Sequence, residues 1–137
     1  LVKRYVQEPG AVSVRRWLKA DAGAASRLSE VEVASALVRR AREGAFTAEE
    51  RDRALAALAD DFAALIMVEF TPEVTVGARA LLLRHHLRAA DAVQLASCLY
   101  LQREMKQPLP FVAFDVRLAE AARHEGLAVV PVPKARR

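Results

Sequence analysis

Residues 111–132 read FVAFDVRLAEAARHEGLAVVPV, and this stretch decides the fold. FVAF at 111–114 is an apolar run of strand length that ends at Asp115. Residues 116–124 have helical spacing, and Gly126 stands where a helix C-terminus favours glycine. AVVPV at 128–132 is a second apolar run. Strand, helix, strand in this order needs a crossover, so the two strands are expected to pair in parallel. Apolar runs without alternation suit strands covered on both faces.

The same grammar extends upstream. Residues 1–7 and 11–20 read as short helices separated by the turn at Glu8 to Gly10, with Val14, Trp17 and Leu18 at helical spacing. Residues 24–28 read as a short strand. Ser29 with Glu32 has capping-box spacing and predicts a helix to about Arg42, closed near Gly44. Thr47 and Glu50 repeat that spacing and open a helix to about Ala64. LIMVEF at 65–70 has strand length, and Thr71-Pro72 is an N-cap followed by proline at the first helical position. That helix carries Val74, Ala78, Leu81 and Leu82 on one side, and a further helix covers roughly 88–106. The fold class is α/β: a three-layer α/β/α sandwich with a small, mainly parallel sheet, in one domain over 1–137.

Composition narrows the function. The 137 residues are 53% hydrophobic and 28% charged, which is globular rather than disordered. One cysteine excludes a disulfide framework and a Cys-rich zinc site, and three histidines offer little to a His-based one. The longest uncharged stretch stops at Arg103, well short of a membrane span, and no secretory signal is visible, so a cytoplasmic protein without membrane contact is expected. The net charge of +4 is compatible with a polyanionic partner.

The informative residues are acids in apolar surroundings. Asp91 shares a helical stripe with Leu95, Cys98 and Gln102, which places a carboxylate at the head of a core-facing row. A buried carboxylate is expensive unless protonated, paired or bound to a metal; the bland alternative is a helix N-cap or an ion pair with Arg88. Asp115 ends a strand, where ligands bind in open α/β sheets, and also fits an N-cap for 116–124. Glu30 and Glu32 open a helix on nearly opposite sides. Periodicity leans to Glu30 as the inward one, since Ala34, Leu37 and Ala41 lie on its side, and leaves the choice open. Acids at the ends of separate elements suit a hard cation such as Mg²⁺ or Mn²⁺, which can activate water against a phosphodiester. A glycosidase is the competing use of paired acids, and the lack of an aromatic-rich groove argues against it. Arg88 and Arg117, each within three residues of an acid, are candidate phosphate contacts; the ordinary reading is counter-ion or solvated charge. His85, His86 and His124 read as surface or structural residues.

Four segments in order, LVKRYVQEPG at the start, SRLSEVEVASAL at 26–37, LRAADAVQLAS at 87–97 and FVAFDVRLAEAARHEGLAVV at 111–130, resemble PIN-domain ribonucleases of the VapC toxin type. The resemblance implies a metal-dependent endoribonuclease, the toxin of a toxin–antitoxin pair. By that likeness Glu32, six residues after Ser26, is the helix-borne acid, and Asp91 and Asp115 are two more, together holding Mg²⁺ or Mn²⁺. It also implies an RNA substrate, a VapB-type antitoxin and a homodimer. The family's first acid and its central strand directly precede Leu-Val-Lys. Here the chain begins at that leucine, so both are expected to lie upstream of Leu1. A second reading is a non-catalytic module that keeps the fold and its contacts without a complete acidic site.

Overall fold

The structure, a computed structural model, describes residues 23–130. The helices expected at 1–7 and 11–20, and the end of the last strand at 131–132, lie outside the described residues. The chain divides into two compact units, Leu1–Val68 and Glu69–Arg137.

In the first unit, β1 (Ala24–Ser26) and β2 (Ile66–Val68) pair in parallel, with Ala24 opposite Ile66 and Ser26 opposite Val68. The ladder extends at both ends, through Ile66 N–H to the Gly23 carbonyl (3.0 Å) and Arg27 N–H to that of Val68 (2.9 Å). A parallel pair needs a long crossover. It is supplied here by α1 (Leu28–Arg42) and α2 (Ala48–Ala63). These helices bury Val33 and Leu37 against Leu58 and Phe62, with Ala25, Leu65 and Met67 packed alongside.

Local chemistry sets the helix ends. At the end of α1, Gly44 takes φ +81°, Gly44 N–H bonds the Ala41 carbonyl and Ala45 N–H that of Arg40, both at 3.0 Å: a Schellman closure, which favours glycine in the left-handed region. Thr47 and Glu50 form the expected capping box, each side chain accepting from the other's backbone N–H at 3.1 Å. Ser29 does not cap α1. The helix starts earlier, because Ser26 Oγ accepts from Leu28 N–H at 3.3 Å where the strand ends. Ser29 therefore falls inside the first turn, where it is buried.

The second unit holds α3 (Pro72–Arg84), α4 (Ala89–Met105), β3 (Pro110–Val112), α5 (Val116–His124) and β4 (Ala128–Val130). Thr71 caps α3 by accepting from Val74 N–H at 3.3 Å, with Pro72 at the first position. Helices α3 and α4 pack together, and a Cβ built at Gly77 would meet Ala96 Cβ at 3.5 Å. Val74, Ala78 and Leu81 are buried as the periodicity requires, whereas Leu82 stands at the edge of the stripe and is exposed. Strands β3 and β4 pair in parallel across α5, Phe111 opposite Val129. Helix α5 closes as α1 does: Gly126 at φ +91°, with Leu127 N–H on the Ala122 carbonyl at 3.0 Å.

The α/β class and the parallel pairing are those read from the sequence. The described strands form two separate two-stranded sheets, β1–β2 and β3–β4. Ile66 and Val112 are each 46% exposed, so these strands are not covered on both faces among the described residues. In β3 only Phe111 of the three residues points into the core, because a short two-stranded pair has one crossover helix and one sheltered side.

Candidate acidic site

Asp115 sits where β3 hands over to α5. Its extended backbone (φ −76°, ψ 128°) makes it the N-cap, and Oδ2 accepts from Leu118 N–H at 3.0 Å. The capping role is therefore real, and it engages one carboxylate oxygen. Asp91 lies in the first turn of α4 and is not its cap. Arg88 occupies that position without a capping side chain, which removes the bland N-cap reading of Asp91.

The stripe below Asp91 behaves as expected. Leu95 is fully buried, burial pushes the Cys98 thiol up to about 11, and Gln102 Oε1 accepts from Leu109 N–H at 3.0 Å. Asp91 itself is half-buried at the head of this row, and no described residue hydrogen-bonds to it. Its carboxyl is held above the usual range, first by burial and then by repulsion from Asp115; the attraction of Arg88 opposes both and is the weakest of the three. The fold thus brings two carboxylates from separate elements into electrostatic contact, and the nearby Arg88 does not offset the rise at Asp91. Such a pair raises its own energy unless a proton or a cation joins it. All its donors are oxygens, the chemistry that hard divalent ions select.

The remaining candidates stand as follows. Glu30, favoured by periodicity, is ion-paired to Arg27 one turn earlier, at the surface of α1. Glu32 is half-buried in α1, in the first unit, while the aspartates belong to the second. Among the described residues no group of three His, Cys, Asp or Glu side chains gathers as a metal site. Arg88 and Arg117 are exposed. Arg88 acts on Asp91 as a partial counter-ion.

The sequence reading missed one cluster. Glu125 accepts two bonds from Arg84 (Nε to Oε2 at 3.2 Å, and a terminal nitrogen to Oε1 at 2.8 Å), while His85 Nε2 lies 2.7 Å from Oε2. The His124 ring stands edge-on to His85, with centroids 5.4 Å apart. The partners are 40 and 41 positions apart, so no local pattern could have joined them. His85 is a satisfied structural residue, as its sequence context suggested.

No helix among the described residues is long and apolar enough to cross a membrane. The family model described as "PIN domain" matches residues 2–127. Two proteins of Mycobacterium tuberculosis, Ribonuclease VapC45 of strain CDC 1551 / Oshkosh and Ribonuclease VapC49 of strain H37Rv, are each 36% identical over 132 residues, covering 95% of this chain and 89% of theirs. The order of parallel strands and crossover helices and the acids at their ends agree with that match: the chain belongs to the PIN domain family.

Proposed function

We propose that this protein is a metal-dependent endoribonuclease, the toxin of a toxin–antitoxin pair. One observation carries the reading: Asp91 and Asp115, at the ends of separate elements, repel each other, and burial and that repulsion together outweigh the attraction of Arg88 at Asp91. The two relatives named as ribonucleases support RNA as the substrate class. The family match runs across the boundary between the two compact units, which supports one domain over 1–137.

Asp91, Asp115 and Glu32 would hold Mg²⁺ or Mn²⁺. The bound ion supplies charge that lowers the pKa of water and offsets charge on an in-line phosphoryl transition state. The protein's own groups do the rest. The Leu118 N–H holds Asp115 by Oδ2, so its other oxygen keeps a fixed direction. The apolar row from Asp91 to Leu95 limits water on one side of the pair. Arg88, exposed at the N-cap of α4, and Arg117, exposed in the first turn of α5, would meet phosphates of the RNA backbone. A cytoplasmic homodimer controlled by a VapB-type antitoxin completes the reading.

The test is cleavage of RNA with Mn²⁺ by the wild type and by Asp91→Asn, Asp115→Asn and Glu32→Gln. Losing a ligand should lower the rate at least about 100-fold in each. Unchanged cleavage in Asp91→Asn would remove its role. An inactive wild type that still binds RNA or antitoxin would instead identify a non-catalytic module.

A further inference from the structure

Two carboxylates that repel each other need something to hold them near one another. The second unit offers two segments that run from the acidic pair to a common anchor. Helix α5 carries Asp115 at its N-cap and Glu125 at its C-cap, and its nine residues span about 13 Å. On the other side, residues 85–88 leave α3 with extended backbone at His85 (φ −133°, ψ 150°) and Arg88 (φ −75°, ψ 155°). A connector of this kind reaches at most about 13 Å, shortened here by the turn from Leu87 N–H to the His85 carbonyl. It delivers the chain to α4, whose first turn presents Asp91. The two segments meet where Glu125 takes Arg84 and His85 together.

That junction is sheltered. The Glu125 and His85 side chains are 15% and 11% exposed, whereas Arg84 reaches in from the surface. Both oxygens of Glu125 are engaged, with a forked guanidinium fixing the orientation as well as the distance. The backbone closure at Gly126 and Leu127 follows directly. A clamp at this point ties the end of the Asp115 helix to the start of the connector that leads to Asp91.

We propose, resting on the reading of Asp91 and Asp115 as a cation site, that Glu125 is a positioning residue: through Arg84 and His85 it locks the C-terminus of α5 to the α3–α4 connector and thereby sets the geometry of the acidic pair at the other end. It touches neither substrate nor cation.

The experiment compares Glu125→Gln and Arg84→Met with wild type and with Thr47→Ala, which removes the helix cap of α2 in the first unit and lowers stability. The first readout needs no metal: hydrogen exchange at the Leu118 amide, which donates to Asp115. Both clamp variants should speed it by about tenfold or more, beyond any change in Thr47→Ala. Arg84→Lys, which keeps the charge without the fork, should restore part of the protection. The second readout is Mn²⁺ affinity, expected to fall by about 10-fold in the clamp variants and to be lost in Asp91→Asn. If faster exchange stays within residues 81–87 and 121–127, and Leu118 and Mn²⁺ affinity match Thr47→Ala, Glu125 is only a staple and the proposal falls. If the wild type binds no Mn²⁺, or Asp91→Asn binds it equally well, the cation-site reading fails by itself; Leu118 exchange then still decides whether the clamp reaches the pair.

Discussion

Replacing Glu125 by Gln removes a charge and keeps the shape, so its effect on stability should follow pH in a defined way. In the native protein Glu125 sits at about 2, below its ordinary 4.5, first because Arg84 donates to it and secondarily because His85 does, against an opposing effect of burial. A depression of that size corresponds to at most about 3 kcal/mol of coupling. The arginine side chain is 51% exposed, so solvent screens the pair and about 1–2 kcal/mol is the expected contribution. Because the folded value is lowered, the contribution is fully present above about 4.5 and is lost as pH falls toward about 2. At neutral pH, Glu125→Gln should therefore melt roughly 3–6 °C below wild type. The two melting temperatures should converge on acidification through that window, and molar salt should narrow the gap. Thermal denaturation followed by circular dichroism across this range measures it. An equal difference at pH 7 and near pH 3, or none at pH 7, would refute the electrostatic account of the clamp.

Three further outcomes follow from named contacts. Asp91 has a raised pKa, so once ionised it opposes folding; metal-free Asp91→Asn should be more stable than wild type at neutral pH, with the gap closing toward about pH 3, as urea titrations at several pH values would show. The methyl of Gly77→Ala would meet Ala96 at an ordinary contact distance of 3.5 Å, so the gain in helix propensity should add up to about 1 kcal/mol; a loss in chemical denaturation would mean that α3 and α4 are closer than described. Lys106 ends α4 in the left-handed region at φ 53°, and Lys106→Gly should raise the melting temperature through relief of about 1 kcal/mol.

Features governed by neighbours in the chain were legible. Gly44, Gly126, Thr47 with Glu50, and Thr71-Pro72 each act within four residues, and each marks the helix end it predicts. Ser29 failed for an instructive reason. Its spacing to Glu32 satisfies the capping rule, but the ladder bond from Arg27 to Val68 fixes where β1 stops, and the helix begins with Arg27 at its N-cap while Ser26 Oγ accepts from Leu28 N–H. Periodicity, which leans to Glu30, likewise cannot register that Arg27 is ion-paired to its carboxylate.

By itself the sequence determined the alternation of strands and helices, their caps and the apolar row that ends in Asp91, because these depend on backbone preferences and on burial repeating every few residues. The tertiary structure decided which charges meet. Asp115 raises the energy of an ionised Asp91, and Glu125 finds Arg84 and His85, only after the crossovers have brought distant segments together. Electrostatic energy depends on separation in space and on shelter from water, and neither quantity is written in the order of residues along the chain.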